Sequence, residues 1–521
     1  MRTLTFLGLL LLLTTARVVA QDGTPDPSFG LNGTTIINNA PYTTKCSDFF
    51  QTKNGYILAL QTNEDNRIMK LTTDGKVDSS FGIAGVVRIP KVVNQLFGNL
   101  VAVLQYGSKI ITAHTWLYDI IVSRWNENGS LDSSFGNNGK TAISFTETVP
   151  QPMDIEIDSR NRVVVCVGMH RYISPFDQFA GIVRLLPDGE IDPTFGNQGN
   201  VIISEGRDFL TPYDITIDQH DGIGMVCNAG SLSGTGRFGI WLLNPNGTYN
   251  TDFNGTGYKV LCFGTRSDAN GLALQSDGKV VVVLEVGGDP RGSFVIARFM
   301  PDGALDSGFG DGGLVARFNN EYRNVPYAVL LTETNSIIVG GFSQTPPSGQ
   351  TDLVIMKLNP DGTSDPYFGN DGIMYYSNTE AEEAILSLII QEDKKLLAGG
   401  FARFYSGSNL KTKPVVMRLQ HGTPMAVLED GIHVPAVFAV EQNYPNPFNP
   451  STVIGFSLPA RSRTEIAVYD IIGTEILRTV AEYDAGHHEF TFDGSALPSG
   501  VYFYRITAVG RQETRKMVFL K

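Results

Sequence analysis

Seven copies of one glycine-punctuated segment, four β-branched runs per copy and no helical period predict an all-β chain: a seven-bladed β-propeller followed by a small immunoglobulin-like β-sandwich. The segment reads best as "RLLPDGEIDPTFGNQGNVII" from Arg184. Its aromatic recurs as Phe29, Phe81, Phe135, Phe195, Phe253, Phe309 and Phe368, in steps of 52, 54, 60, 58, 56 and 59 residues. Glycine stands six residues before each, from Gly23 to Gly362, and four after each, from Gly33 to Gly372. A period this long with fixed internal punctuation means that each unit buries its apolar faces against its neighbours.

In chain order, the first element is a leader. Arg2, the apolar run Leu4 to Leu13 and the small-residue ending Val18-Val19-Ala20 have the pattern of a secretory signal over residues 1–20, removed before Gln21. The run is too short for a membrane anchor and is followed by Arg17. The mature chain, with no later stretch able to span a bilayer as a helix, is expected to be a soluble or surface-attached monomer.

Residues 21–421 are the repeat region. In the fourth unit, "NVII" from Asn200, "DITID" from Asp214, "GMVCN" from Gly224 and "FGIWLL" from Phe238 read as four short strands, hence four-stranded antiparallel blades. "KPVVMRL", residues 413–419, matches the strand that precedes the punctuation, whereas the mature N-terminus begins with the punctuation itself. The last blade is then completed by the first strand of the chain, which closes the ring and leaves no open edge. An open solenoid would leave this phasing unexplained.

The repeated Asp or Asn three residues before each phenylalanine (Asp26, Asp78, Asp132, Asp192, Asn250, Asp306, Asp365) has two readings. A calcium ladder is one, but the spacing is not that of a calcium loop. Asx turns explain it with the backbone alone, and the phenylalanines then wedge between blades. Cys46, Cys166, Cys227 and Cys262 show no metal-ligand spacing; Cys166 and Cys227 lie in matching strands and read as buried thiols, with one bridge as the alternative. Without the leader's two arginines, 38 basic face 53 acidic side chains, a net charge of −15 with no basic run, which disfavours nucleic acid as a partner.

Function is expected where the units differ. The first-to-second and third-to-fourth connections of each unit share one face, and the Asp-Gly turns share the other. The variable loops carry Trp116, Tyr118, Arg171, Tyr172, Phe176, Phe209, Tyr322, Arg403, Phe404 and Tyr405, the aromatic and arginine set of a binding face for an extracellular protein or glycan, or else a cover for the ring. No nucleophile elbow, phosphate loop or zinc helix is present, so no catalytic residue, metal or cofactor is assigned and a non-enzymatic role is favoured. His487 and His488 form the only adjacent histidine pair and read as part of a turn. The alternative is a polysaccharide hydrolase or lyase with carboxylates and aromatics at the central channel.

Residues 422–440, with Pro424 and Pro435, read as a linker, and 441–521 as a separate β-sandwich of short strands. Gly500 is expected to permit a tight turn into "VYFYRI", whose alternate side chains pack inward.

Two resemblances follow from these residues. The pattern "RL.PDG..D..FG..G", with "QSDGKVVVV" at Gln275, resembles the delta-60 repeat of bacterial extracellular proteins, over roughly residues 22–420. It departs in the fifth unit, where Asn254 follows Phe253 and Asn250 replaces the aspartate. The C-terminal module resembles the sorting domain of the type IX, or Por, secretion system. The matching residues are Asn443, Pro445, Asn446, Pro447 and Phe448, then "LPSGVYFYRI" with Gly500 and Tyr502, and the terminal "KMVFLK" with Lys516, Met517 and Lys521. This resemblance implies a bacterium with an outer membrane, export to the periplasm, recognition by the type IX machinery, and release or display at the cell surface.

Overall fold

The computed structural model describes residues 22–37, 45–62, 65–91, 99–105, 108–171, 178–203, 209–230, 236–287, 292–317, 323–344, 351–376, 381–406, 409–421, 426–427, 433–434, 438–440, 442–443, 445–458, 461–484, 486–508 and 511–521. The leader expected over residues 1–20 lies outside them. Every regular element among the described residues is a strand. One compact unit spans Gly23–His421, and Gly422–Lys521 belongs to another.

The first unit opens with β1 (Thr34–Ile36). Four-stranded antiparallel sets follow in chain order: β2 (Lys45–Thr52), β3 (Gly55–Gln61), β4 (Asn66–Leu71) and β5 (Val86–Ile89); then β6 (Leu100–Gln105), β7 (Lys109–Trp116), β8 (Asp119–Trp125) and β9 (Lys140–Ser144). Next come β10 (Thr148–Ile157), β11 (Val163–Arg171), β12 (Gln178–Leu185) and β13 (Asn200–Ile203), and β14 (Phe209–Ile217), β15 (Ile223–Gly230), β16 (Arg237–Leu243) and β17 (Tyr258–Leu261). One parallel pair, Gln178 with Phe209, links these two sets into an eight-stranded sheet. The last full sets are β18 (Ser267–Leu274), β19 (Val280–Val286), β20 (Ser293–Phe299) and β21 (Leu314–Arg317), and β22 (Asn324–Leu331), β23 (Ile337–Gln344), β24 (Thr351–Leu358) and β25 (Ile373–Tyr376). Finally β26 (Ala381–Ile390), β27 (Leu396–Ser406) and β28 (Asn409–Leu419) form a sheet whose fourth strand is β1, with Thr34 opposite Met417 and Ile36 opposite Val415.

The sheets are out of phase with the sequence repeat. "NVII" is β13 and pairs with β12, across the punctuation, rather than with "DITID" in β14. The punctuation is therefore the connection between the third and fourth strands of one sheet. The first strands β2, β6, β10, β14, β18, β22 and β26 touch one another in that order, and β26 touches β2.

The repeated residues explain the joints between sheets. All seven phenylalanines are buried. Gly189 has φ +95°, and a β-carbon there would lie 2.9 Å from the ring of Phe135 in the preceding unit, so glycine is required by both backbone and space. The amide after the phenylalanine bridges the same joint: Gly136 donates to the Asp188 carbonyl at 2.7 Å and Gly310 to that of Asp361 at 2.8 Å.

The repeated aspartates make Asx turns. Asp192 Oδ1 accepts from the Thr194 amide at 3.0 Å and Asp132 Oδ1 from that of Ser134 at 3.2 Å. The second oxygen takes a cation from eight residues upstream, as in Arg124–Asp132 at 2.8 Å, Arg184–Asp192 at 2.8 Å, Arg298–Asp306 at 2.9 Å and Lys357–Asp365 at 2.9 Å. Burial opposes ionisation of Asp192, yet its bonds to Thr194 and Arg184 hold the carboxyl below the usual range. The same guanidinium stacks on the repeated ring, 4.4 Å from Phe195 for Arg184 and 4.4 Å from Phe309 for Arg298. It also donates across the joint, Arg124 to the Pro187 carbonyl at 2.6 Å, Arg184 to that of Pro245 and Arg298 to that of Pro360. One joint differs. The Asn250 amide bonds to the Leu242 carbonyl just as Asp306 bonds to Arg298, so Leu242 stands where the cation stands elsewhere.

The four cysteines are free thiols, with Cys46, Cys166 and Cys227 buried and Cys262 exposed. Burial first, and the nearby Cys227 second, push the Cys166 thiol well above its ordinary range.

In the second unit β29 (Ala426–Val427) pairs with β30 (His433–Val434). β31 (Ala439–Val440), β32 (Ser451–Leu458) and β35 (Gly486–Asp493) make one sheet; β34 (Glu475–Tyr483), β33 (Ser462–Asp470), β36 (Gly500–Ala508) and β37 (Arg511–Phe519) make another. Phe448, Ile454, Phe456, Ile466, Tyr504 and Phe519 contribute to their shared core. His488 lies in β35 opposite Phe456 rather than in a turn, its ring against Phe456 and Tyr483, so apolar packing overrides the turn reading.

Candidate functional site

The seven first strands surround a cavity of about 590 Å³, and its walls follow from a local irregularity. Six of them carry a β-bulge at one level: between Cys46 and Asp48, Pro152 and Asp154, Pro212 and Asp214, Ala269 and Gly271, Pro326 and Ala328, and Ile385 and Ser387. A bulge opposes two residues to one and re-aims a side chain. The prolines are tolerated because at this level each of these strands pairs on one side only.

Three bulges are followed by aspartate, and each carboxylate accepts an amide of the next sheet: Asp48 from Ala102 at 3.2 Å, Asp154 from Ile215 at 2.9 Å and Asp214 from Leu272 at 2.7 Å. Edge amides facing the cavity need acceptors, and these carboxylates supply them. The carboxyls touch the cavity yet are enclosed by its walls. Burial, then repulsion from Asp154, pushes Asp48 and Glu156 up to about 8. Asp154 and Asp214 are also raised, by burial first, and hydrogen-bond to each other. Gly271 replaces aspartate in β18, where a β-carbon would stand 2.9 Å from the Tyr327 carbonyl; glycine lets β18 and β22 approach.

Tyr213 and Tyr327 are bulge residues of β14 and β22 and line the cavity. Burial raises both hydroxyls; Asp268 raises Tyr213 further, while Arg323 opposes the rise at Tyr327. Around them stand three ion pairs: Arg323 grips Glu285 with two nitrogens at 2.9 and 3.1 Å, Arg266 holds Asp268 at 2.7 Å, and Arg403 lies 3.4 Å from Glu382. Arg403 influences the Tyr327 hydroxyl electrostatically, which places it in this group.

The other residues singled out above are dispersed. Trp116 ends β7 and Tyr118 occupies the turn to β8, both exposed, on a hairpin one strand out from the axis. Arg171 ends β11 with its guanidinium 5.5 Å from the Phe179 ring, and half-buried Phe209 opens β14. Tyr172, Phe176 and Tyr322 lie outside the described residues, as do the side chains of Phe404 and Tyr405 in β27. Sequence reasoning missed Tyr213, Tyr327 and the cavity carboxylates. Arg323 and Tyr327 follow closely on Tyr322 in the chain, whereas Asp154 and Asp214 open strand-like runs and carry no motif of their own.

In the C-terminal unit the singled-out residues fold together. Buried Asn443 receives its place from the Tyr504 hydroxyl, which accepts its amide at 2.9 Å, and from Pro445 O and Thr452 Oγ1, which accept its side-chain NH2 at 3.1 and 2.9 Å. Asn446 Oδ1 accepts the Val518 amide at 2.9 Å, and Phe448 packs 4.9 Å from Phe519, so the proline-rich loop is tied to β37. Pro445, Pro447, Lys516 and Lys521 are exposed, and Met517 is buried. Tyr502, Tyr504 and Ile506 point inward; Tyr502 donates to the Pro498 carbonyl at 2.8 Å. Gly500 does not make a left-handed turn: it is absent from the positive-φ positions and has room for a β-carbon, pairing with Phe519 as an ordinary strand residue.

Residues 442–520 match the family model of the secretion system C-terminal sorting domain. Residues 55–81, 178–195, 275–309 and 334–368 match that of a β-propeller domain of unknown function, DUF5122. No curated protein matches the chain. Among solved structures, a protein from Lactobacillus plantarum is similar at 11% identity and TM-score 0.38, over 72% of this chain and 99% of that one. A prolyl endopeptidase is similar at 10% identity and TM-score 0.39 over 80% of this chain, which spans 55% of the enzyme's. The β-propeller domain of Nup133 from Vanderwaltozyma polyspora is similar at 6% identity and TM-score 0.35, over 74% and 100%.

Proposed function

We propose that residues 23–421 form a closed, seven-bladed ring of delta-60-like repeats that binds a glycan at the mouth of its central cavity, without catalysis, after export by the type IX route. The sorting-domain match indicates secretion or surface localisation through that system. Seven sets of four strands, a cyclic run of first strands and the β1–β28 pairing support the closed ring. The two sheets around one core support an immunoglobulin-like sandwich for residues 441–521, with 422–440 as linker.

The observation that carries the binding reading is the pair of tyrosines, Tyr213 and Tyr327, set at matching bulges in the lining of the cavity, with the Arg323–Glu285 and Arg403–Glu382 pairs acting on the Tyr327 hydroxyl. Flat rings offer stacking faces to sugar rings, and fixed ion pairs offer donors and acceptors to hydroxyls. Full-length protein screened on a glycan array and a matrix-protein array tests this. Wild type is expected to bind a glycan, and Tyr327→Ala and Tyr213→Ala to weaken it about tenfold or more, one stacked ring being worth on the order of 1.5 kcal/mol. Capture of matrix protein only, or equal glycan binding by both variants, would overturn it.

A hydrolase or lyase at the same cavity draws on the Asp154–Asp214 pair. Against it, both carboxylates are engaged by backbone amides of the wall, leaving them as joints between sheets rather than as a poised acid and base. Release of reducing ends from the bound glycan, abolished by Asp154→Asn, would favour that reading.

A further inference from the structure

The joint that lacks the repeated cation opens a second cavity. Between the β14–β17 and β18–β21 sets, on the face of the punctuation turns, lies a pocket of about 290 Å³ lined by Asp218, His220, Leu242, Asn250, Gln275 and Pro301 among others. Elsewhere this place is filled. Arg124, Arg184 and Arg298 each extend between the repeated aspartate and the carbonyl of a proline in the next unit, Pro187, Pro245 and Pro360. Here Leu242 is too short to reach, Asn250 stands in for the aspartate, and Pro301 presents the corresponding carbonyl. The turn itself survives, since Asn250 Oδ1 still accepts the Asp252 amide at 3.2 Å.

A second observation points to a ligand. Gln275 lines this cavity, is only 5% exposed, and its Oε1 is buried with no hydrogen-bond partner. A buried amide oxygen left unpaired costs about 1–3 kcal/mol, so a donor at that place is favoured. Carboxylates of Asp218 and Asp252 stand on the same wall. Lys259 is already spent on the Gly303 carbonyl at 2.7 Å, and Lys279 on Asp277.

We infer that this cavity is a binding site for a guanidinium group carried by a ligand, an arginine side chain of a partner peptide or a small guanidinium compound, taking the place that Arg184 and Arg298 fill in their own joints. A planar cation with several donors suits an amide oxygen, a proline carbonyl and flanking carboxylates together, whereas an ammonium presents a single point of charge. The site lies on the face opposite the cavity mouth and stands independently of the glycan reading.

Agmatine is the probe. In isothermal titration of the full chain at constant ionic strength, wild type is expected to bind one equivalent saturably and to bind n-butylamine at least about fivefold more weakly. Gln275→Leu should raise the agmatine dissociation constant about fivefold, one hydrogen bond's worth. Leu242→Arg with Asn250→Asp, which rebuilds the pair of the other joints, should abolish binding. Absence of saturable binding, equal binding of n-butylamine, or undiminished binding by the rebuilt joint overturns the inference. If that double variant fails to fold, Gln275→Leu and Asp218→Asn carry the test, and undiminished binding by both overturns it equally.

Discussion

Replacing Arg298 by leucine should destabilise the first unit far more than replacing Arg298 and Asp306 together. The guanidinium lies 2.9 Å from Asp306, 4.4 Å from the Phe309 ring centre, and donates to the Pro360 carbonyl of the next unit; both charged residues are buried. Arg298→Leu alone strands the Asp306 carboxylate with the Gly308 amide as its remaining donor at 3.0 Å. Breaking a buried pair from one side costs about 3–5 kcal/mol. In the double variant, Asp306→Asn keeps an oxygen for the Gly308 amide and removes the charge, so what is lost is the bond to Pro360 and the stacking, about 1–2 kcal/mol. The chain already contains this arrangement at Leu242 and Asn250. Urea titration of the full chain followed by tryptophan fluorescence reads this unit selectively, because all three tryptophans, Trp116, Trp125 and Trp241, lie within it. A double variant that costs as much as the two single changes summed would refute the account. So would an Arg298→Leu loss under about 1 kcal/mol, the level of an ordinary surface change.

Phe195→Ala should cost about 3–5 kcal/mol in the same titration, since it empties a packed position beneath Arg184; a loss under about 1 kcal/mol would remove the ring from the core. Asp48 and Glu156, pushed to about 8 mainly by burial, hold protons in the folded chain that the unfolded chain releases above about pH 4. Stability contributed by the protonated forms is therefore complete below about pH 4 and declines through about pH 8, by on the order of 1.4 kcal/mol per unit for each group. Asp48→Asn with Glu156→Gln should flatten melting temperature against pH over that window, and an unchanged slope would show that these groups do not titrate there. Truncation after Gln442 should leave the first unit folded but retained in the periplasm, as read by fractionation and immunoblotting; efficient appearance outside the cell would show that the C-terminal domain is not the export signal.

What the sequence determined by itself is local and repeated. Glycines six residues before and four after each phenylalanine, β-branched runs and Asx residues specify turns and strands within reach of a few bonds, so an all-β propeller and a C-terminal sorting domain were legible. Arg184 and Asp192 were both visible as motif letters, eight residues apart, but their pairing is read only once the third strand folds back under its turn. The cavity residues were hidden for a different reason. Asp154 and Asp214 stand 60 positions apart on strands that do not pair, and they meet because the first strands converge on one axis. Tyr213 and Tyr327 face that axis through single-residue bulges, which shift the two-residue alternation that a strand pattern assumes. Gln275 opens the repeat segment "QSDGKVVVV" and reads in sequence only as a turn residue. Its unpaired oxygen gains meaning only in the folded chain, where it lines the cavity beside Leu242 of the neighbouring sheet.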